Sequence, residues 1–136
     1  MDVVLIACAS KKQNKKAKAK ELYVSTLFSY ALRYAESLKP DVIFILSAKY
    51  GLLALDKTIE PYNVTLNTMT MPQKKKWAEQ VLLQLRKVAD VHNDTLIFLA
   101  GEQYRKYLIP SLSHYKIPLQ GLSIGKQLQY LKRAIA

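Results

Sequence analysis

Val42-Ile43-Phe44-Ile45-Leu46-Ser47-Ala48-Lys49-Tyr50-Gly51 is the stretch that decides the fold of this sequence. Five apolar residues run without alternation into a small, polar and charged exit. An unbroken apolar run of this length, rich in β-branched residues, suits a strand covered on both faces, as in a parallel sheet. The same kind of run occurs upstream at Val3-Val4-Leu5-Ile6-Ala7 and downstream at Leu96-Ile97-Phe98-Leu99-Ala100. A weaker fourth strand is expected at Ile117–Leu119 or its neighbours.

Helical patterns lie between the strands. Leu27, Ala31, Tyr34, Ala35 and Leu38 recur at helical spacing, which predicts a helix over 26–38 that Pro40 stops. Thr70-Met71-Pro72-Gln73 reads as a capping box with proline in the first turn. Trp77, Val81, Leu85 and Val88 would form the buried face of that helix. A short helix over about 102–109 carries Tyr104, Tyr107 and Leu108, and Ile124, Leu128, Leu131 and Ile135 mark the last one. Residues 11–20 read as a solvated loop, and 51–70 as irregular. Strand and helix thus alternate four times in one domain, residues 1–136. That order predicts a three-layer α/β/α sandwich on a four-stranded, mostly parallel sheet.

Composition narrows the function. Lys and Arg number 21 against 10 Asp and Glu, a formal charge of +11. Such a balance favours polyanions, and the lysines cluster: six lie in Lys11–Lys20, and Lys74, Lys75 and Lys76 follow one another. No amphipathic basic stretch with an aromatic face accompanies them, so no membrane partner is expected. The single cysteine, Cys8, allows no disulfide within the chain, and the start of the chain lacks a basic, then apolar, leader pattern. A reducing, cytoplasmic setting follows as the expectation. His92 and His114 stand far apart, so no metal site is expected, and no Gly-x-Gly-x-x-Gly or Walker loop calls for a cofactor.

In an open parallel sheet, ligands bind outside the C-terminal ends of the strands. After the first strand come Ser10, Lys11 and Lys12, a hydroxyl and two ammoniums that suit an anion. Cys8 has no base patterned beside it and reads as a packed thiol. After the second come Ser47, Lys49 and Tyr50, with Gly51 for the turn. Lys49 can neutralise a phosphate, and Tyr50 can stack or hydrogen-bond. Pro61 stiffens Glu60-Pro61-Tyr62, which sets Glu60 as an acid, a base or a hydrogen-bond partner, with Tyr62 beside it. Gly101 and Tyr104 follow the third strand. Ser123 can cap the last helix, and Gly125 with Lys126 in its first turn suits a phosphate.

The strings Cys8-Ala9-Ser10-Lys11-Lys12, Glu21–Tyr23, Ser47–Leu53, Glu60–Tyr62, Leu99–Tyr104 and Gly121–Leu128 resemble a family of small bacterial and phage domains of unknown function. The resemblance covers nearly the whole chain. Leu46–Tyr62 is also similar to the L-S-G-x-Y-G-x-L…P-Y segment of the YaaA peroxide-stress family, which is associated with DNA binding. The strand leading into Cys8–Lys12 resembles the C-S-A-R-K-P-Y start in archaeosine synthases. That likeness implies a uracil-DNA-glycosylase-like fold, although the glycosylases' G-Q-D-P-Y motif is absent and only Glu60-Pro61-Tyr62 echoes its end.

Together these readings set one expectation: a nucleic-acid-directed enzyme acting on a nucleobase or nucleoside of DNA or tRNA, breaking or exchanging an N-glycosidic bond. Glu60, Lys49 and Tyr50 are its candidate catalytic residues. Ser10, Lys11, Lys12, Ser47, Tyr62, Gly101, Tyr104, Gly125 and Lys126 are its candidate substrate-binding residues. The alternatives are a non-catalytic DNA- or RNA-binding module and a small protein that binds a nucleotide or another phosphate ligand.

Overall fold

A computed structural model of the chain describes residues 1–136. The three apolar runs form strands β1 (Asp2–Ala7), β3 (Val42–Ser47) and β6 (Thr95–Leu99). β1 is the centre of the sheet, parallel to β3 on one side and to β6 on the other. Its position explains its composition: Val3, Val4 and Leu5 are wholly buried because neighbours cover both faces and both edges. Replacing Leu5 by Ala would cost about 2–5 kcal/mol, the range for a deleted core side chain.

The sheet has five strands, one more than expected, in the order β4-β3-β1-β6-β7. β4 (Gly51–Ala54) folds back on β3 as an antiparallel edge. Gly51 makes this return possible, with φ at +72°, a region that other residues enter only under strain. At the other edge β7 (His114–Lys116) pairs parallel with β6. It lies just before the expected segment and is exposed throughout, while Leu119 in the following turn supplies the buried side chain.

The lysine-rich segment is more ordered than a solvated loop. Lys12 bridges to Tyr23, β2 (Ala17–Lys18) pairs with β5 (Thr58–Ile59), and a helical turn α1 (Ala19–Leu22) buries Ala19 and Leu22. Residues 51–70 therefore hold two strands and a 3-10 turn at Leu66–Thr68.

Helix α2 (Thr26–Ser37) is capped by Ser25, whose hydroxyl accepts from the Phe28 N–H, and it packs against α5 (Ile124–Ile135). Helix α3 (Met71–Arg86) carries the capping box read from the sequence: the Thr70 hydroxyl accepts from the Gln73 N–H, and Gln73 accepts from the Thr70 N–H. β3 and β6 run parallel, and the right-handed crossover between them places α3 on the face opposite α2 and α5. Trp77, Val81 and Leu85 of α3 are buried, whereas Val88 lies beyond the helix end and is exposed. Ile124, expected on the inner face of α5, is 67% exposed at its start. The short helix α4 (Glu102–Arg105) gives way to a 3-10 turn at Ile109–Ser111 in place of one helix to 109. The result is a mixed α/β fold with a five-stranded, mostly parallel sheet. No helix is long and apolar enough to cross a membrane.

Candidate functional site

The connections leaving β1 and β6 run to opposite sides of the sheet, β1 toward β3 and β6 toward β7. A crevice opens outside the strand ends where the winding reverses, and this is where open α/β sheets bind ligands. Here it separates Cys8-Ala9-Ser10 from Ala100-Gly101. Tyr104, on α4, reaches across it, and its hydroxyl lies 3.4 Å from the Cys8 sulfur.

An inner cavity of about 220 Å³ occupies this crevice. Its walls are Cys8, Ala9, Ser10 and Lys12 from the β1 exit, Tyr104 from α4, and Asn63, Val64, Thr65 and Asn67 from a strap that runs along it. Ser10, Lys12 and Asn63 also line an outer cleft of about 270 Å³, completed by Gln13, Asn14, Pro61 and Tyr62. The abutting spaces reach the size range of small-molecule sites. Behind Cys8 and Ala9, a smaller apolar pocket of about 110 Å³ reaches Phe28, Gly101 and Gln127.

Under the strap lies a buried chain of hydroxyl groups. The Ser47 Oγ accepts from the backbone N–H groups of Lys49 (3.3 Å) and Tyr50 (3.0 Å). Its own hydrogen is therefore free for the Tyr62 Oη, 2.8 Å away, and Tyr62 in turn meets the Tyr23 Oη at 2.6 Å. Trp77 locks the same corner by donating to the Ser47 carbonyl at 2.9 Å. Burial pushes the Tyr23 phenol up to about 12, and it pushes Tyr62 and Tyr104 up as well. These phenols stay neutral donors and acceptors through the ordinary pH range.

Lys12 sits on this platform. Its ammonium is 4.4 Å from the centroid of the Tyr62 ring and 5.7 Å from that of Tyr23, and it donates to the Ser10 carbonyl at 3.3 Å. No carboxylate pairs with it. Partial burial lowers its pKa, opposed by the nearby Cys8 sulfur when that is ionised. A half-buried ammonium held by ring faces and one carbonyl is prepared for an anion, because a ligand phosphate would replace the missing counter-charge. Lys20, by contrast, is paired with Asp56 at 3.1 Å, the single lysine or arginine with a carboxylate partner.

The sequence-derived candidates divide into groups. Ser10, Lys12 and Tyr104 line the inner cavity, and Tyr62 floors the outer cleft with its hydroxyl committed beneath. Ser47 is wholly buried and acts through Tyr62 and the turn it caps. Lys49 is exposed and lines a third cleft beyond the strap, and half-buried Tyr50 packs edge-on against Tyr62 at 5.6 Å. Lys11 is exposed, with its carbonyl bound to the Val24 N–H. Gly101 starts α4 beside the apolar pocket. Glu60 is exposed and lines none of the three clefts. Gly125 and Lys126 are exposed on the first turn of α5, outside them too.

Among the other wall residues, Asn63 and Asn67 carry only a weak signal in the sequence, as amides able to read a base, and Thr65 carries none; the path of the strap brings all three to the cavity. Cys8, read as a packed thiol, is half-buried and faces the cavity.

Residues 3–133 match a family described as Family of unknown function (DUF6884), and the chain belongs to that family. The resemblance carried by Cys8–Lys12 and Ser47–Leu53 holds at that level. No curated protein and no solved structure matches the chain.

Proposed function

We propose that this member of the family captures a nucleobase together with its phosphate, in a nucleotide or a nucleic acid, in the crevice between β1 and β6. The observation that carries the reading is Lys12: a half-buried ammonium without a carboxylate partner, at the junction of two clefts otherwise lined by amides, hydroxyls and tyrosine. The phosphate lies on Lys12 and the Ser10 hydroxyl. The base enters the inner cavity, where Asn63, Asn67 and Thr65 offer the donors and acceptors that read a base edge. Tyr104 supplies an aromatic wall. The formal charge of +11 raises the local concentration of any such polyanion.

The short likeness to archaeosine synthases, with the uracil-DNA-glycosylase-like fold it implies, supports base handling in particular. N-glycosidic chemistry on the captured base is the catalytic form of the proposal. With Glu60 outside the clefts, its proton work falls to groups in the walls: Lys12, Tyr104 and the Cys8 thiol. A reduced Cys8 fits a cytoplasmic setting.

Isothermal titration with the common ribo- and deoxyribonucleoside monophosphates tests the reading. Binding of at least one of them, lost on Lys12→Met, supports it. Incubation of the protein with DNA and tRNA, followed by assay for free base, tests the catalytic form. Absence of binding to nucleotides and to DNA and tRNA alike, by a folded protein, overturns both.

A further inference from the structure

Resting on that base-capture reading, we infer that the natural ligand is an unpaired strand of nucleic acid several nucleotides long, laid through a groove that continues past the base cavity.

Asn63 lines three clefts at once: the outer cleft, the inner cavity and a third, larger one of about 560 Å³. The inner cavity and the third cleft also share Val64 and Thr65. The strap therefore borders all three clefts, and a strand laid along it would run from Gln13 and Asn14, past the base cavity, to Lys49 and Lys76. No Asp or Glu contributes to any of the three linings. Each cleft holds a lysine and at least one side-chain amide, so the walls repel no phosphate along the whole path.

A mononucleotide fills the inner cavity and the outer cleft at most, leaving the largest cleft empty. That cleft has apolar side chains to receive further bases: Met69 lines it, as does Val64, which is 40% exposed at the crest of the strap. Lysines tracking a backbone beside surfaces that accept base faces are the arrangement that single strands bind without sequence preference. The strap also rules on pairing. With the β1 exit and Tyr104 it walls the inner cavity, so a base reaches the cavity only after leaving its stack, at a cost of a few kcal/mol in a duplex and much less in an unpaired strand.

Fluorescence anisotropy tests the inference with end-labelled single-stranded DNA and RNA of about 2 to 12 nucleotides, the matching duplexes, and mononucleotide as competitor. The groove predicts that affinity rises at least tenfold from mononucleotide to short strand and then levels off, with duplexes weaker than single strands. Lys76→Ala should weaken strand binding several-fold and lower the salt dependence by about one charge. It should leave mononucleotide affinity unchanged, and Lys76→Glu should weaken strand binding further. If mononucleotide binds but strands gain nothing, or duplexes bind tighter, the groove is overturned and the base cavity stands. If neither mononucleotide nor strand binds, both fall.

Discussion

The Ser47 Oγ and the Tyr62 Oη lie 2.8 Å apart inside the protein, and this contact ties the end of β3 to the strap that lines the crevice. Ser47 belongs to the apolar run that forms the sheet, and Tyr62 starts the segment that supplies Asn63, Thr65 and Asn67. The hydroxyl pair thus transmits the position of the sheet edge to the walls of the cavity.

Tyr62→Phe removes the middle hydroxyl of the chain and leaves Ser47 and Tyr23 facing an apolar ring edge. Buried hydroxyls left short of a partner cost about 1–3 kcal/mol. Urea unfolding should show a loss of that size. Ligand affinity should fall as well, because the strap loses its anchor.

Lys12→Met separates stability from function. Methionine keeps the apolar stem against Tyr62 and removes a charge that burial disfavours. Unfolding free energy should stay level or rise by up to about 1 kcal/mol. Nucleotide affinity should fall at least tenfold, about 1.4 kcal/mol. A variant that loses stability and binding together would show that Lys12 is a structural residue.

Gly51→Ala should be among the most damaging small changes. The backbone there is left-handed, and a Cβ would collide with the Gln84 side-chain oxygen. That oxygen accepts from the Leu52 N–H at 2.8 Å, and the Gln84 amide donates to the Tyr50 carbonyl at 3.2 Å. Strain and lost hydrogen bonds together amount to about 2–4 kcal/mol, read as a lowered denaturant midpoint.

The buried phenols make stability sensitive to alkali. Tyrosine in the unfolded chain ionises near 10, while Tyr23 in the folded protein holds its proton to about 12. The folded form binds more protons in that window, so stability is complete below pH 10 and drains away as pH rises toward 12. Denaturation midpoints measured across that range should fall. The fall should be shallower in Tyr62→Phe, which removes one of the raised phenols.

Cys8 is the only cysteine, so its alkylation reports on the cavity without ambiguity. Iodoacetamide should label it in the native protein, and bound nucleotide should slow the labelling several-fold. Labelling that ignores ligand would place the ligand elsewhere.

Much of this arrangement is legible in the sequence. Apolar runs long enough to be covered on both faces mark β1, β3 and β6, and hydroxyl caps mark α3 and α5, because burial and capping act locally. β4 and β7 are not legible: Leu52-Leu53 is too short a run, and His114–Lys116 is exposed and held only by backbone pairing with β6. At the site, Ser10, Lys12 and Tyr104 are readable from their positions after strands. The strap residues are barely so: Asn63 and Asn67 read only as amides able to meet a base and Thr65 not at all, since polar side chains in a loop gain their place from the path that Pro61 and the Tyr62 anchor give them. Tyr62 itself reads as a substrate-binding residue, yet its hydroxyl is used inside the protein, a partnership that only the meeting of β3 and the strap creates.

Amide chemical-shift mapping of the isotope-labelled protein during titration with the tightest-binding mononucleotide tests the central claim most directly. The account predicts shifts concentrated at Cys8–Lys12, Asn63–Asn67 and Gly101–Tyr104. Shifts confined to Ser123–Lys126 at the start of α5, or spread over the exposed lysines without a focus at the crevice, would contradict it.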